Sequence, residues 1–310
     1  MDEKKLYAAP MEGLSTYLWR QVHRALFGGA DKYYTPFLSP NANLCFQHRE
    51  LLEITQGEED LVPQLLANRG EYFLWAGREL RALGFREINL NLGCPSATVT
   101  AKRKGSGMLG DLDALERILD EVFAGLPGMR LSIKTRIGRY DPAEWEAILR
   151  LLEKYPLWEL TVHPRVQKEF YKGRAHREIF LATAEKTALP LVYNGDVTAP
   201  ADAALTWGCP VMLGRGLMAD PALLRRCRGG PPASRRELQE YHDRLLSAYT
   251  ETLFGDTPVL HKMRLLWSYL GASFSGSERY VRAICKARDL GAYRTAAEAI
   301  LTDCPLRDGD

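Results

Sequence analysis

Residues 88–110 read INLNLGCPSATVTAKRKGSGMLG. The run opens in alternation, with Ile88, Leu90 and Leu92 on one face and Asn89 and Asn91 on the other, which is the period of a β-strand. It breaks at Gly93-Cys94-Pro95, crosses a loop rich in Gly, Ser, Thr and Lys, and re-enters helical periodicity near Asp111. A strand that stops at a cysteine held between Gly and Pro presents a thiol on a rigid rim. Binding and catalytic groups concentrate on such loops.

Outward from this stretch, strand-like and helix-like segments alternate. Eight strands are expected: Leu6–Ala9, Tyr33–Phe37, Val62–Leu66, Ile88–Leu92, Leu131–Thr135, Glu159–His163, Pro190–Asn194 and Val211–Gly214. Amphipathic stretches lie between them: 16–26, 71–83, 112–123, 143–154, 177–186 and 199–206. Asp141-Pro142 is a helix-start signal, since Asp caps and Pro tolerates the first turn. Between the second and third strands only 43–53 offers a fair helical pattern. The alternation predicts an α/β fold, a (β/α)₈ TIM barrel. An open doubly wound sheet is the rival, but no GxGxxG follows the first strand. After Gly229-Gly230-Pro231-Pro232 the strands cease and four helical stretches follow, 235–253, 258–270, 277–289 and 295–301. A barrel domain over 1–230 and an all-α helical-bundle domain over 231–310 are therefore expected.

Composition sets the class. The 310-residue chain is 46% hydrophobic and 26% charged, ordinary for a globular protein, with a net charge of only +2. A nucleic-acid partner would have to be met by a local basic patch. No apolar run approaches the roughly 20 residues that span a bilayer. The N-terminal MDEKKLYAAPM has no apolar signal core, and the six cysteines show neither CxxC nor metal-ligand spacing. A cytoplasmic monomer with reduced thiols, no membrane association and no metal is expected.

Polar residues within the strands gather at strand ends: Pro10-Met11-Glu12, Gln64, Asn91 with Cys94, Lys134 with Arg136, His163 with Arg165, Asn194-Gly195-Asp196, and Gly214-Arg215. In a barrel these ends share one mouth. The last two turns, each followed by a helix, suit an anion or cofactor phosphate, to which Arg215 adds a charged donor. Lone glycine turns would mean little; a pair on consecutive strands favours the phosphate. Lys134, in LSIKTRI, is a costly inward cation unless an anion or pairing partner is near, or unless it snorkels to the rim. Cys45, Cys209, Cys227 and Cys285 read as small buried hydrophobes, and Cys304 as incidental.

APMEG, the Gln of VPQLL, NLNLGCPS with KGSG, SIKTRIG, TVHPR, YNGDV and LGRGLMADP together resemble, in order and spacing, the motifs of the tRNA-dihydrouridine synthases. The resemblance covers nearly the whole chain. It implies a barrel binding FMN, reduction of FMN by NADPH, and a C-terminal helical domain that holds tRNA. FMN contacts then fall on Pro10, Met11, Glu12, Gln64, Asn91, Lys134, His163, Asn194, Gly195, Asp196, Gly214 and Arg215. A cation such as Lys134 near the N1–C2=O edge would stabilise the reduced ring. Hydride would pass from reduced FMN to uracil C6 and a proton to C5 from Cys94. A thiol near its reference pKa of about 8.5 is mostly protonated at neutral pH and able to act as that acid. The family usually has HGRT where this chain has His163-Pro164-Arg165-Val166, a difference that bears on loop shape and on Arg165.

RNA contact has its own signal. Between Lys262 and Arg294 seven basic residues face two acidic ones, a net +5, and Arg279, Arg282 and Lys286 share one helix face. Lys102, Arg103 and Lys104 add charge beside the cysteine loop. Such stripes neutralise phosphates, though a solvated helix face looks the same. Candidate tRNA contacts are Asn91, Lys102, Lys104, Arg136, Arg165, Arg279, Arg282 and Lys286. Two other readings stay open: an FMN barrel reductase or dehydrogenase of a free pyrimidine or enone, and an RNA-binding protein on a disused barrel.

Overall fold

Polar and apolar residues alternate on three neighbouring segments, and the strands they form set the plan of the molecule. The computed structural model describes residues 4–307 apart from Trp207. Its parallel strands are β1 (Leu6–Ala8), β2 (Lys32–Tyr34), β3 (Leu61–Val62), β4 (Gln64–Leu65), β5 (Glu87–Leu92), β6 (Arg130–Gly138), β7 (Glu159–Val166), β8 (Leu191–Tyr193) and β9 (Val211–Leu213). They follow the order β3-β2-β1-β9-β8-β7-β6-β5-β4. β3 and β4 are one strand interrupted at Pro63, which has no N–H to give the ladder. The two ends of the order thus belong to a single run of chain, and the sheet closes as an eightfold barrel. The expected third strand, Val62–Leu66, is therefore two short ones that start one residue earlier.

Register carries the alternation around the barrel. Asn89 pairs with Ser132 and Asn91 with Lys134, while Ser132 pairs with Glu159, Lys134 with Thr161 and Arg136 with His163. Every second residue of β5, β6 and β7 on that face is polar. The other side of the interior is an apolar cluster of Tyr7, Ala9, Tyr34, Val62, Val192 and Met212. One half of the barrel core is thus oil and the other half hydrogen bonds.

Helices outside the strands follow 3.6 periodicity. In Leu112–Gly125, Leu115, Ile118, Leu119 and Val122 are buried, and Asp111 caps the start by accepting from the Ala114 amide at 3.1 Å. Pro142–Glu144 forms a 3₁₀ turn that leads into Trp145–Leu152, with Asp141 as its cap. Between β2 and β3 the helix is His48–Ile54, shorter than the expected 43–53. The Glu50 carboxylate explains its start: it accepts from the amides of Gln47 (2.8 Å) and Ser39 (2.7 Å), so the chain before it is held non-helical.

By compactness the chain forms two units. One comprises the residues up to Pro10, Asp31–Asp196 and Leu205–Met212; the other comprises Met11–Ala30, Val197–Ala204 and Leu213 onward. The first holds the barrel sheet. In the second, Arg235–Thr252, Asp256–Leu270, Glu278–Lys286 and Leu290–Asp303 pack with Tyr17–Leu26. Its core is tied by polar aromatics: Trp19 Nε1 donates to Tyr241 Oη (2.6 Å), and Trp267 Nε1 to Tyr293 Oη (2.9 Å). Among the described residues no helix is long and apolar enough to cross a membrane.

Candidate active site

The loop after β5 is built around two side chains. Asn91 Oδ1 accepts from the amides of Gly93 (3.0 Å) and Cys94 (2.9 Å), an Asx turn that folds the chain back at the cysteine. The Cys94 carbonyl in turn accepts from Ser106, through its amide (3.1 Å) and its hydroxyl (2.9 Å). Gly105 has φ +57°, and a Cβ there would lie 2.8 Å from the Cys94 carbonyl oxygen. KGSG therefore pins the far side of the turn. The Cys94 thiol is left half-buried at the end of β5.

Below Asn91 runs a continuous row of polar side chains. Asn91 Nδ2 donates to Gln64 Oε1 (2.8 Å), and Gln64 Nε2 to Asn89 Oδ1 (2.8 Å). Asn89 Nδ2 donates to Ser132 Oγ (3.0 Å), and the Ser132 hydroxyl to Glu87 Oε1 (2.8 Å). Lys32 Nζ then bridges Glu87 and Glu159, at 2.7 Å to each, and the Tyr7 hydroxyl closes on Glu159 at 2.6 Å. Burial pushes the Glu87 carboxyl above the usual carboxylate range, while Lys32 pulls it back. Of this row only Gln64 and Asn91 are among the site residues expected from sequence. The signal for the others was the period-two polarity of β5 and β6.

Lys134 and Arg136 follow on β6. Burial, and then the neighbouring Arg136 charge, pull the Lys134 ammonium down to about 7. Among the described residues it has no hydrogen-bond or ion-pair partner. Arg136 is the opposite case. Only 1% exposed, it donates to the carbonyls of Gly93 (3.0 Å), Val166 (3.1 Å) and Phe170 (2.7 Å). It ties the cysteine turn to the loop after β7 and lies 5.3 Å from the Tyr171 ring centre.

His163, Arg165 and Asp196 form a third group. Pairing between β6 and β7 slips after His163, with Gly138 next opposite Val166, so Pro164 and Arg165 form a bulge. Proline's missing N–H makes it a natural place for the slip. Arg165, also 1% exposed, donates to Asp196 and to the carbonyls of Lys172 (3.3 Å) and Gly173 (2.7 Å). Its Nη1 lies 3.0 Å from His163 Nε2. A guanidinium only donates, so His163 accepts at Nε2 and carries its proton on Nδ1. Gly195, at φ +158°, packs between this imidazole and Ala175, where an added Cβ would lie 3.2 Å from Ala175 Cβ.

Gln64, Asn91, Cys94, Lys134, His163 and Asn194–Asp196 thus belong to one unit, at the C-terminal ends of its strands. Asn194 is held by Nδ2 on the Met212 carbonyl (2.8 Å). Met11, Glu12, Gly214 and Arg215 belong to the other unit. There the Met11 amide donates to Ser15 Oγ (2.8 Å) within its own turn, and Gly214 precedes the short helix Arg215–Ala219. Lys102 is exposed, whereas Lys104 turns inward onto Ser39 Oγ (3.0 Å). Arg279, Arg282, Lys286, Arg288 and Arg294 are all exposed, while Lys262 is used internally on the Gly13 carbonyl (2.9 Å).

The fold is a (β/α)₈ barrel, and the chain is a flavin-dependent oxidoreductase by its family and relatives. The chain belongs to the dihydrouridine synthase family: the family model described as Dihydrouridine synthase (Dus) matches residues 7–300. It is similar to a probable tRNA-dihydrouridine synthase of Staphylococcus aureus, 31% identical over 231 residues, which are 69% of this chain and 68% of that one. A tRNA-dihydrouridine(16) synthase of Cupriavidus necator is 29% identical over 306 residues, 92% of this chain and 94% of its own. Among solved structures, morphinone reductase in complex with tetrahydroNAD superposes with a TM-score of 0.51 at 12% identity, covering 76% of this chain and 90% of that one. The old yellow enzyme homologue from Zymomonas mobilis gives 0.50 at 12%, covering 77% and 92%. Those two likenesses concern the fold.

Proposed function

We propose that this chain reduces the C5=C6 bond of uridine in tRNA, using FMN and NADPH, with Cys94 as the proton donor to C5. The observation that carries the reading is a cysteine pinned at the mouth of a barrel whose inward Lys134 has, among the described residues, no hydrogen-bond or ion-pair partner. A desolvated cation of that kind fits the electron-rich N1–C2=O edge of a flavin. Gln64, Asn91 and His163 would hold the ring, and Asn194–Asp196 would meet the phosphate. Bound FMN, reduced by NADPH, would supply the hydride for C6.

Everything else falls to the side chains. Cys94, as a thiol, delivers its proton to C5 and is reprotonated from solvent. Arg136 and Arg165 serve as loop anchors in this reading rather than as direct substrate contacts, because both are buried and hold protein acceptors. Arg279, Arg282 and Lys286, exposed on one helix, meet RNA phosphates, and Lys102 meets them beside the cysteine loop. A base in folded RNA must be unstacked into the pocket, at a few kcal/mol. The barrel over 1–230 would be catalytic and 231–310 would bind tRNA, in a cytoplasmic monomer. The Cupriavidus relative makes position 16 the first to examine.

The test is to map dihydrouridine by mass in tRNA from cells lacking the protein, then after adding it back with NADPH. Loss and recovery at a defined position are expected. Cys94→Ala should retain flavin yet restore the modification at least about 100-fold more slowly. An unchanged map would refute the tRNA reading and turn attention to free pyrimidines; full activity in Cys94→Ala would remove the cysteine from its role.

A further inference from the structure

The row of amides beneath Cys94 has a direction, set by backbone donors at its top and by the Glu87 carboxylate, held as an acceptor by Lys32, at its bottom. At the top, the Gly93 and Cys94 groups are backbone N–H donors, so Asn91 must turn Oδ1 toward them. Its Nδ2 then faces Gln64 Oε1, Gln64 Nε2 faces Asn89 Oδ1, and Asn89 Nδ2 faces Ser132 Oγ. At the bottom, Glu87 receives Lys32 on one oxygen and accepts the Ser132 hydroxyl on the other. Reading upward from that acceptor gives the same sense at every link. An amide's two ends are nearly equal in size, so shape alone would let Gln64 and Asn91 sit either way round. Reversing any one of them sets oxygen against oxygen or N–H against N–H in a fully buried row.

We infer that Ser132 and Asn89, anchored on Glu87, are positioning residues that set the orientation of the Gln64 and Asn91 amides and so hold the Cys94 turn. The inference rests on the reading of Cys94 as proton donor and extends it to a part of the barrel that touches no reactant. Without the Ser132 hydroxyl, Asn89 Nδ2 has no acceptor and the sense of the row is no longer imposed from below. The row is then fixed from the top alone: Asn91 Oδ1 still meets the Gly93 and Cys94 amides, but Gln64 behind it has no fixed partner below, and the turn is held less firmly.

Ser132→Ala tests this, with Ser132→Thr as the variant that keeps the hydroxyl. Three quantities are measured on the flavin-loaded protein: amide hydrogen exchange in the peptide spanning 92–96, the rate of Cys94 alkylation by iodoacetamide, and kcat and KM for tRNA. Loss of one buried hydrogen bond should speed exchange at 93–94 and lower kcat by about tenfold each, with KM within about twofold. Alkylation should change severalfold, and Ser132→Thr should recover most of each effect. Wild-type exchange, alkylation and kcat in Ser132→Ala would overturn the inference. So would exchange that accelerates equally in the peptide carrying β8, since that is loosening of the whole barrel. Failure of the wild-type protein to reduce uridine would instead count against the reaction, and exchange and alkylation would still decide the positioning role.

Discussion

Arg165 grips Asp196 at two points, Nη1 to Oδ1 at 3.0 Å and Nη2 to Oδ2 at 2.6 Å, and the same Nη1 touches His163 Nε2. The guanidinium is buried, whereas the carboxylate is partly exposed. Asp196 also accepts from the Ala175 amide (3.0 Å) and sits in the left-handed region at φ +47°, which Asp tolerates better than most residues. The ion pair therefore joins the turn after β8 to the loop after β7, with the imidazole between them.

Asp196→Asn keeps the shape and one acceptor but leaves the Arg165 charge without its counter-ion. The two carbonyls on Arg165 remain, so the loss should be about 1–3 kcal/mol of stability. Urea unfolding measures it. A midpoint equal to that of the wild-type protein would mean that solvent already compensates the charge.

Lys134 makes the apo protein pH-dependent. Its folded pKa, about 7, lies below the unfolded value near 10.5, so between these limits the unfolded chain binds more protons. Stability contributed by this site therefore rises with pH across that window and is lowest below about 7. Lys134→Met should raise the urea midpoint of the flavin-free protein at pH 6, and the gain should shrink toward pH 9. The same variant should weaken flavin binding. A gain that is constant with pH would mean that the amine is not desolvated.

The barrel was legible because its strands announce themselves twice, by apolar runs and by polar residues at every second position. Glu87, Asn89 and Asn91 on β5, with Ser132, Lys134 and Arg136 on β6, carry the polar interior in plain view, yet only the members nearest the mouth have an expected role in the sequence. Periodicity says that a face is shared, and it does not say whether that face is solvent, apolar core or a hydrogen-bonded row. Arg136 and Arg165 were harder. Positive charge is visible in a sequence, but the carbonyls that absorb it, at Phe170 and Gly173, are brought close only by the fold. The grouping of Tyr17–Leu26 with the C-terminal helices was hidden for the same reason, since an amphipathic helix does not declare its partner.

The exposed cations on Glu278–Lys286 predict how RNA affinity depends on salt. Arg279, Arg282 and Lys286 all face solvent. Replacing Arg282 and Lys286 by Gln should weaken tRNA binding and reduce the slope of log K against log salt by about 1–2. The urea midpoint should not move. An unchanged slope would mean that this face does not meet phosphate.

Gly105 offers a cleaner test of how tightly the cysteine turn is held. Its φ of +57° disfavours any side chain, and a Cβ would also meet Cys94 Cβ and Val99 Cγ1, each at 3.0 Å. Gly57 has a similar φ of +71° with nothing within 4 Å of its Cβ position. Gly57→Ala therefore carries only the backbone term, about 1–2 kcal/mol, whereas Gly105→Ala adds displacement of the turn. Both variants should lose stability, but only Gly105→Ala should alter Cys94 alkylation and slow uridine reduction by about tenfold or more. Equal behaviour of the two would mean that the turn yields without moving the thiol, and that Ser106 and Asn91 alone hold Cys94 in place.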